Sequence, residues 1–226
     1  MIVGPSRRDL DAPVDVENHT PSLSHLREFT RARVSGRQTH VAQDRKQVTA
    51  PSENRFASFV YEKFLTGVIS YVKDGNRGAA LLRAVAEAPE RMQPSYEAAA
   101  KGASTLLADL RPTVATRRQR NVVVLDGDGY EVVSLRVHLM LEAAGRRFGA
   151  FTYFSEKALT EPELAIMQTA IALAVLQIDP VADPSIFMVR SGTILAIDRT
   201  VALTTDRISF LRSESLAYRD AWRNAE

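Results

Sequence analysis

Between Glu161 and Gln177 the chain reads EPELAIMQTAIALAVLQ, enough for nearly five helical turns, with apolar side chains on nearly every side. A helix of that kind cannot lie on a surface with one face in water. It has to be covered by other layers, so the rest of the chain is expected to fold around it. Thr160 and Glu163 have the capping-box spacing and Pro162 falls in the first turn, which fixes where the helix starts. Gln168, Thr169 and Gln177 interrupt the apolar run, leaving it short of the roughly 18 apolar residues needed to span a bilayer. The expected role is a core helix, with Ile166, Ala170, Ile171 and Val175 at the centre of the fold and no membrane contact.

The remaining composition can supply such a cover. Apolar residues make up 45% of the 226 positions and charged residues 25%. A domain of this size buries roughly 70% of the surface its unfolded chain exposes. There is no cysteine, which excludes a disulfide framework, a thiolate nucleophile, an iron–sulfur cluster and a Cys-based zinc site. The start, MIVGPSRRDLDAP, has no apolar run of a leader's kind, and the expectation is a cytoplasmic protein.

Residues 1–50 are expected to form a polar, flexible tail, because no apolar period persists that would offset its ordering entropy. One stretch, 22–33, spaces Leu23, Leu26 and Phe29 three apart and predicts a short helix that docks on the domain or on a protein partner. Residues 51–226 are expected to form a single α+β domain. A helical layer opens it, with helices from Ser52 to Asp74, from Arg77 to Ala88 and from Ser95 to Leu110. A three-stranded antiparallel meander follows, over 121–125, 130–141 and 148–154, with its first turn at Asp126-Gly127-Asp128-Gly129. After the buried helix come a β-hairpin around Ser191-Gly192 and an amphipathic helix from Thr205 to Asn224, with Ile208, Leu211, Tyr218 and Trp222 on one face.

No catalytic or cofactor motif emerges. There is no nucleophile elbow, no phosphate-binding glycine loop and no dinucleotide fingerprint, so no cofactor is expected. Asp126, Asp128 and Glu131 put three carboxylates within six residues, a possible hard-cation set. The calcium-loop spacing fails, since Tyr130 and Val137 stand where a fifth-position ligand and a closing Glu belong, and a hairpin turn is the favoured reading. His138 is expected on the solvent face of its strand with Arg136 and Glu142.

The charge distribution gives the strongest lead. A net charge of +2 implies nothing by itself. Locally, Lys101, Arg111, Arg117, Arg118 and Arg120 face only Asp109 over residues 101–120, with Arg146 and Arg147 at the turn near Gly145. Guanidinium groups on an exposed loop suit nucleic-acid backbone contacts, although no aromatic residue interleaves them for base stacking. The expected function is a non-enzymatic interaction or accessory protein, with a protein partner on the tail and nucleic acid on this basic loop. The alternative is a metal-dependent phosphodiesterase or nuclease built on Asp126, Asp128, Glu131 and Glu142. A helix bearing Glu62, then acidic strands, then a buried helix loosely resembles the element order of PD-(D/E)xK nucleases. Ala143 and Ala144 follow Glu142 where that signature needs its lysine, so the resemblance implies a catalytically dead relative.

Overall fold

The computed structural model describes residues 19–225 apart from 33, 51–60 and 119. Two helices come first, α1 (Leu23–Arg31) and α2 (Val34–Thr49), then three more, α3 (Glu62–Lys73), α4 (Ala80–Ala86) and α5 (Gln93–Leu110). Five strands follow: β1 (Val114–Arg117), β2 (Val122–Leu125), β3 (Glu131–Leu135), β4 (Leu139–Ala143) and β5 (Arg146–Tyr153). The chain closes with α6 (Glu161–Ile178), β6 (Asp183–Met188), β7 (Thr193–Ala196), α7 (Arg199–Ala202) and α8 (Thr205–Arg223). The class is α+β, as the sequence predicts. The proposed helix start at Ser52 lies outside the described residues.

A five-stranded mixed sheet, ordered β1-β4-β5-β6-β7, carries α3, α4 and α5 on one face and α6 on the other. Only the β5–β6 pair is parallel, and α6 is the crossover between its two strands. Close approach on both faces depends on missing side chains. A Cβ on Gly149 of β5 would lie 2.6 Å from a Val175 methyl of α6. One on Gly102 of α5 would lie 1.9 Å from the Val189 carbonyl oxygen.

The meander resolves into two separate sheets. β2 and β3 form their own two-stranded hairpin, and the run 130–141 is cut at Arg136-Val137-His138 before β4 joins the large sheet. All three residues of the cut are anchored. Arg136 reaches Glu62, Val137 is fully buried, and His138 Nδ1 accepts the Thr152 backbone N–H at 2.9 Å, just past the last β4–β5 pair. β1, four residues long, has no counterpart in the sequence reading.

Residues 19–50 depart from the expected tail. The apolar face of α1, Leu23, Leu26 and Phe29, is buried in the same core as α6, the β2–β3 hairpin and α8. The residues proposed to meet a partner are therefore used within the chain. Ser22 caps α1 by accepting the His25 N–H at 3.2 Å, and the Pro21 carbonyl takes the Ser134 N–H on β3 at 2.8 Å. At the other end Arg31 grips Glu163 of α6 through two hydrogen bonds, 2.8 and 2.7 Å. Residues 1–18 lie outside the described part.

Contrary to the shortfall expected from Gln168, Thr169 and Gln177, α6 is long and apolar enough by length and composition to cross a bilayer, yet most of it is buried inside the protein. Ile166, Ala170, Ile171 and Val175 are all inaccessible to solvent. Replacing Ile171 with Ala is expected to cost roughly 2–5 kcal/mol in denaturant unfolding. Leu82→Ala, at a side chain 69% exposed, is expected to change stability by less than about 0.5 kcal/mol. A loss below about 1 kcal/mol at Ile171 would remove α6 from the centre.

Candidate functional site

The acidic turn is a hairpin turn. Asp126 Oδ1 accepts the N–H groups of Asp128 (3.0 Å) and Tyr130 (2.9 Å), so the carboxylate holds its own loop in shape. Arg212 of α8 supplies the countercharge, 2.6 Å from Asp128 and 3.4 Å from Asp126. Glu131 accepts from Thr20 at 2.8 Å, tying the hairpin to the chain just ahead of α1. Glu142 belongs to β4 in the other sheet and does not join these three. Among the described residues no group of three or more His, Asp or Glu is arranged to hold a metal ion.

Glu62, the acid of the nuclease-like layout, is an anchor. Its two carboxylate oxygens are taken by Arg117 (2.6 Å) and Arg136. That double pair joins the start of α3 to β1 and to the cut between the sheets.

The basic cluster is divided by its partners. Arg117 is bound to Glu62, Arg146 to Asp183 (2.7 Å) and Arg147 to Asp179 (2.9 Å). Arg111 takes the left-handed C-cap position of α5, φ +50°, and its side chain turns back to the Ala108 carbonyl. Arg118 and Arg120 have no ion-pair partner among the described residues, and the Nε of Arg118 is buried without a hydrogen bond. The acids that quench the others come from positions 62, 179 and 183, distant in sequence.

Arg118 borders a cleft of about 450 Å³ on the α6 side of the large sheet. Thr116, Arg118, Met140 and Glu142 line its floor from β1 and β4, while Arg147 and Ile178 form a wall beside the end of α6. Arg147 is neutralised by Asp179, which leaves one cation, Arg118, and one anion, Glu142, without partners there among the described residues. The register pairs Val114 with Glu142, so Arg118 and Glu142 stand four strand positions apart, about 13 Å. β1 is the edge of this sheet.

A second group of polar side chains escapes the sequence reading entirely. Asp44 of α2, 4% exposed, accepts the Tyr218 hydroxyl at 3.0 Å and lies 3.5 Å from His40 Nε2 and 3.8 Å from His25 Nε2. Burial, then the Asp44 charge, pushes the Tyr218 phenol well above its ordinary range. The only local signal is His40 and Asp44 at an i,i+4 spacing on a helix.

His138 is not on a solvent face. Its ring packs on Phe151, centroids 4.8 Å apart, and burial followed by the Arg136 charge pulls its pKa down to about 4. The imidazole is neutral at pH 7 and acts as an acceptor for the β5 backbone. Because the unfolded chain takes up this proton near pH 6.5 and the folded one only near 4, stability falls as pH drops through that window. In urea titrations at successive pH values, His138→Asn, which keeps an acceptor near the Nδ1 position, is expected to flatten that decline. An unchanged pH profile would mean that His138 is not the titrating group.

No protein-family model, curated protein or solved structure matches the chain, so these residues and their geometry carry the functional argument alone.

Proposed function

We propose that this chain is a non-enzymatic interaction domain, and that the cleft over β1 and β4 is its binding surface. The observation that carries the reading is a pair of charges in that cleft that find no partner among the described residues: Arg118, whose Nε is buried without a hydrogen bond there, and Glu142. A buried polar group without a partner costs free energy of the order of 1–3 kcal/mol, and a ligand that satisfies it recovers that cost on binding. A partner suited to the cleft presents an acid and a base about 13 Å apart, the reach of four extended residues. An extended protein segment meets this description.

A nucleic-acid backbone suits the cleft less well. Phosphate recognition draws on several free cations, and three arginines of the basic cluster already hold carboxylates. Lys101, Arg118 and Arg120 are what remains for such contacts, with Arg111 turned back on the Ala108 carbonyl.

Charge reversal separates the readings. A pull-down from native lysate with the full chain is expected to retain a protein after nuclease treatment. Arg118→Glu and Glu142→Lys are each expected to lose it, with their melting curves close to that of the parent protein. If capture depends on nucleic acid, or DNA or RNA binds at about 50 mM salt and is lost in Arg118→Ala/Arg120→Ala, the backbone reading replaces this one. A partner retained by both charge-reversed chains would move the interface elsewhere.

A further inference from the structure

β1, the edge of the large sheet beside the cleft, carries little that would keep another strand away. Val114 and Thr116 are β-branched, no proline or lysine interrupts the strand, and its register with β4 runs without a shift from Val114 to Arg117. Along an edge strand, alternate residues turn their N–H and C=O groups away from the sheet, where a further strand can take them. The side chains of β1 divide between its two faces. Ala115 is buried in the core shared with α3 and α5, and Arg117 is bound to Glu62, whereas Val114, Thr116 and Arg118 line the cleft on the α6 side.

The two charges of the cleft that lack partners among the described residues are placed symmetrically about Thr116. Arg118 lies two residues after it, and Glu142 is paired with Val114, two residues before it. Such an arrangement is complementary to itself. A second β1 laid antiparallel on the edge, with a two-fold axis between the two copies of Thr116, brings Arg118 of each copy opposite Val114 of the other. Glu142 lies one strand further in on the same face, two strand spacings or about 10 Å from that arginine. An arginine and a glutamate side chain together span that distance. We infer that the occupant of the cleft margin is a second copy of this chain, its β1 paired antiparallel with this one and held by reciprocal Arg118–Glu142 ion pairs.

The inference rests on the cleft being a binding surface and names its partner. The charges also select one register. A shift of two residues sets Arg118 opposite Pro112 or Thr116 and moves it away from Glu142. In the chosen register Val114, 41% exposed in the single chain, lies beneath each ion pair and is covered by it. The other edge of the sheet, β7, offers no such match, because the charges that flank it are engaged: Arg190 with Glu156 and Asp198 with Thr200. Pairing at β1 joins the two five-stranded sheets into one and closes the contact on itself, as a two-fold interface does.

Sedimentation velocity on the full chain, at chain concentrations from about 1 to 200 μM, tests this, because a dimer grows by mass action. The parent chain is expected to pass from one copy to two over that range, and the dimer to weaken as salt is raised. Arg118→Glu and Glu142→Lys each set like charges against one another at both contacts, and each variant alone is expected to stay monomeric. Mixed in equal amounts they place an acid opposite a base at both contacts again, so a dimer holding one of each is expected. The double variant Arg118→Glu/Glu142→Lys is expected to pair with itself for the same reason. A variant that has merely failed to fold cannot show this recovery. A parent chain that stays monomeric, a dimer that persists in both single variants, or a mixture that stays monomeric overturns the self-pairing. The reading of the cleft fails differently. A monomeric chain that captures another protein and loses it in both single variants overturns the second copy as occupant and leaves the cleft as the binding surface, whereas capture that survives both variants overturns the two together.

Discussion

One buried carboxylate connects the core helix to the segment that precedes the domain. Glu163 is inaccessible to solvent, and burial alone would push its pKa up. The two Arg31 hydrogen bonds, and those from the Thr160 backbone and hydroxyl, reverse that push and hold the group below its ordinary range, as an anion. The Thr160 contacts start α6 at a fixed residue. The Arg31 contacts bring the end of α1 to the same point, and Arg27 stands 3.7 Å away as a second cation. Removing one member of such a pair leaves an uncompensated buried charge, which is why the arrangement works as a fastening between elements more than as a source of net stability. With α1 held there, Leu23, Leu26 and Phe29 complete the cover over α6 that its all-round apolar surface requires.

What could be read from the sequence follows the range of the responsible interaction. α6 was legible because its apolar side chains and its cap lie within one helix. The Asp126 turn was legible for the same reason: its acceptor and both donors fall within five residues. α8 showed its buried face, Leu211, Tyr218 and Trp222, at helical spacing. α2 gave no such signal. Among the described residues its buried side chains are Val41 and Asp44, and the contacts that hold it run to α1 and, across some 180 residues, to α8. The cut at Arg136–His138 was hidden because its apolar alternation continues through it. It is made by Glu62 and Thr152, which lie on other elements.

The candidate site was legible by composition and not by pairing. Counting charge over residues 101–120 found the arginines, but it set them against Asp109 alone. Folding brings Glu62, Asp179 and Asp183 to the cluster and pairs three of its seven cations internally. The acidic turn meets the reverse fate, neutralised by an arginine more than eighty residues away. What sets Arg118 and Arg120 apart from Arg117, Arg146 and Arg147 is therefore that no acid among the described residues pairs with them, a property of the tertiary arrangement.

The cleft itself follows from the widths of the layers. Five strands at about 4.8 Å spacing make a sheet about 20 Å across, measured from first strand to last, while one helix is about 10 Å wide. Three helices cover the face that carries Leu139 and Leu141. On the other face α6 lies over β5 and β6, where Gly149 and Val175 let it approach closely. The β2–β3 hairpin, α1 and α8 pack around α6 and do not extend the cover toward the β1 edge. The α6 side of β1 and β4 is consequently left open, with Val114 41% exposed and Thr116 and Glu142 in water. The same economy of helices that buries most of α6 thus leaves the margin of the sheet open, which is where the proposed binding surface lies.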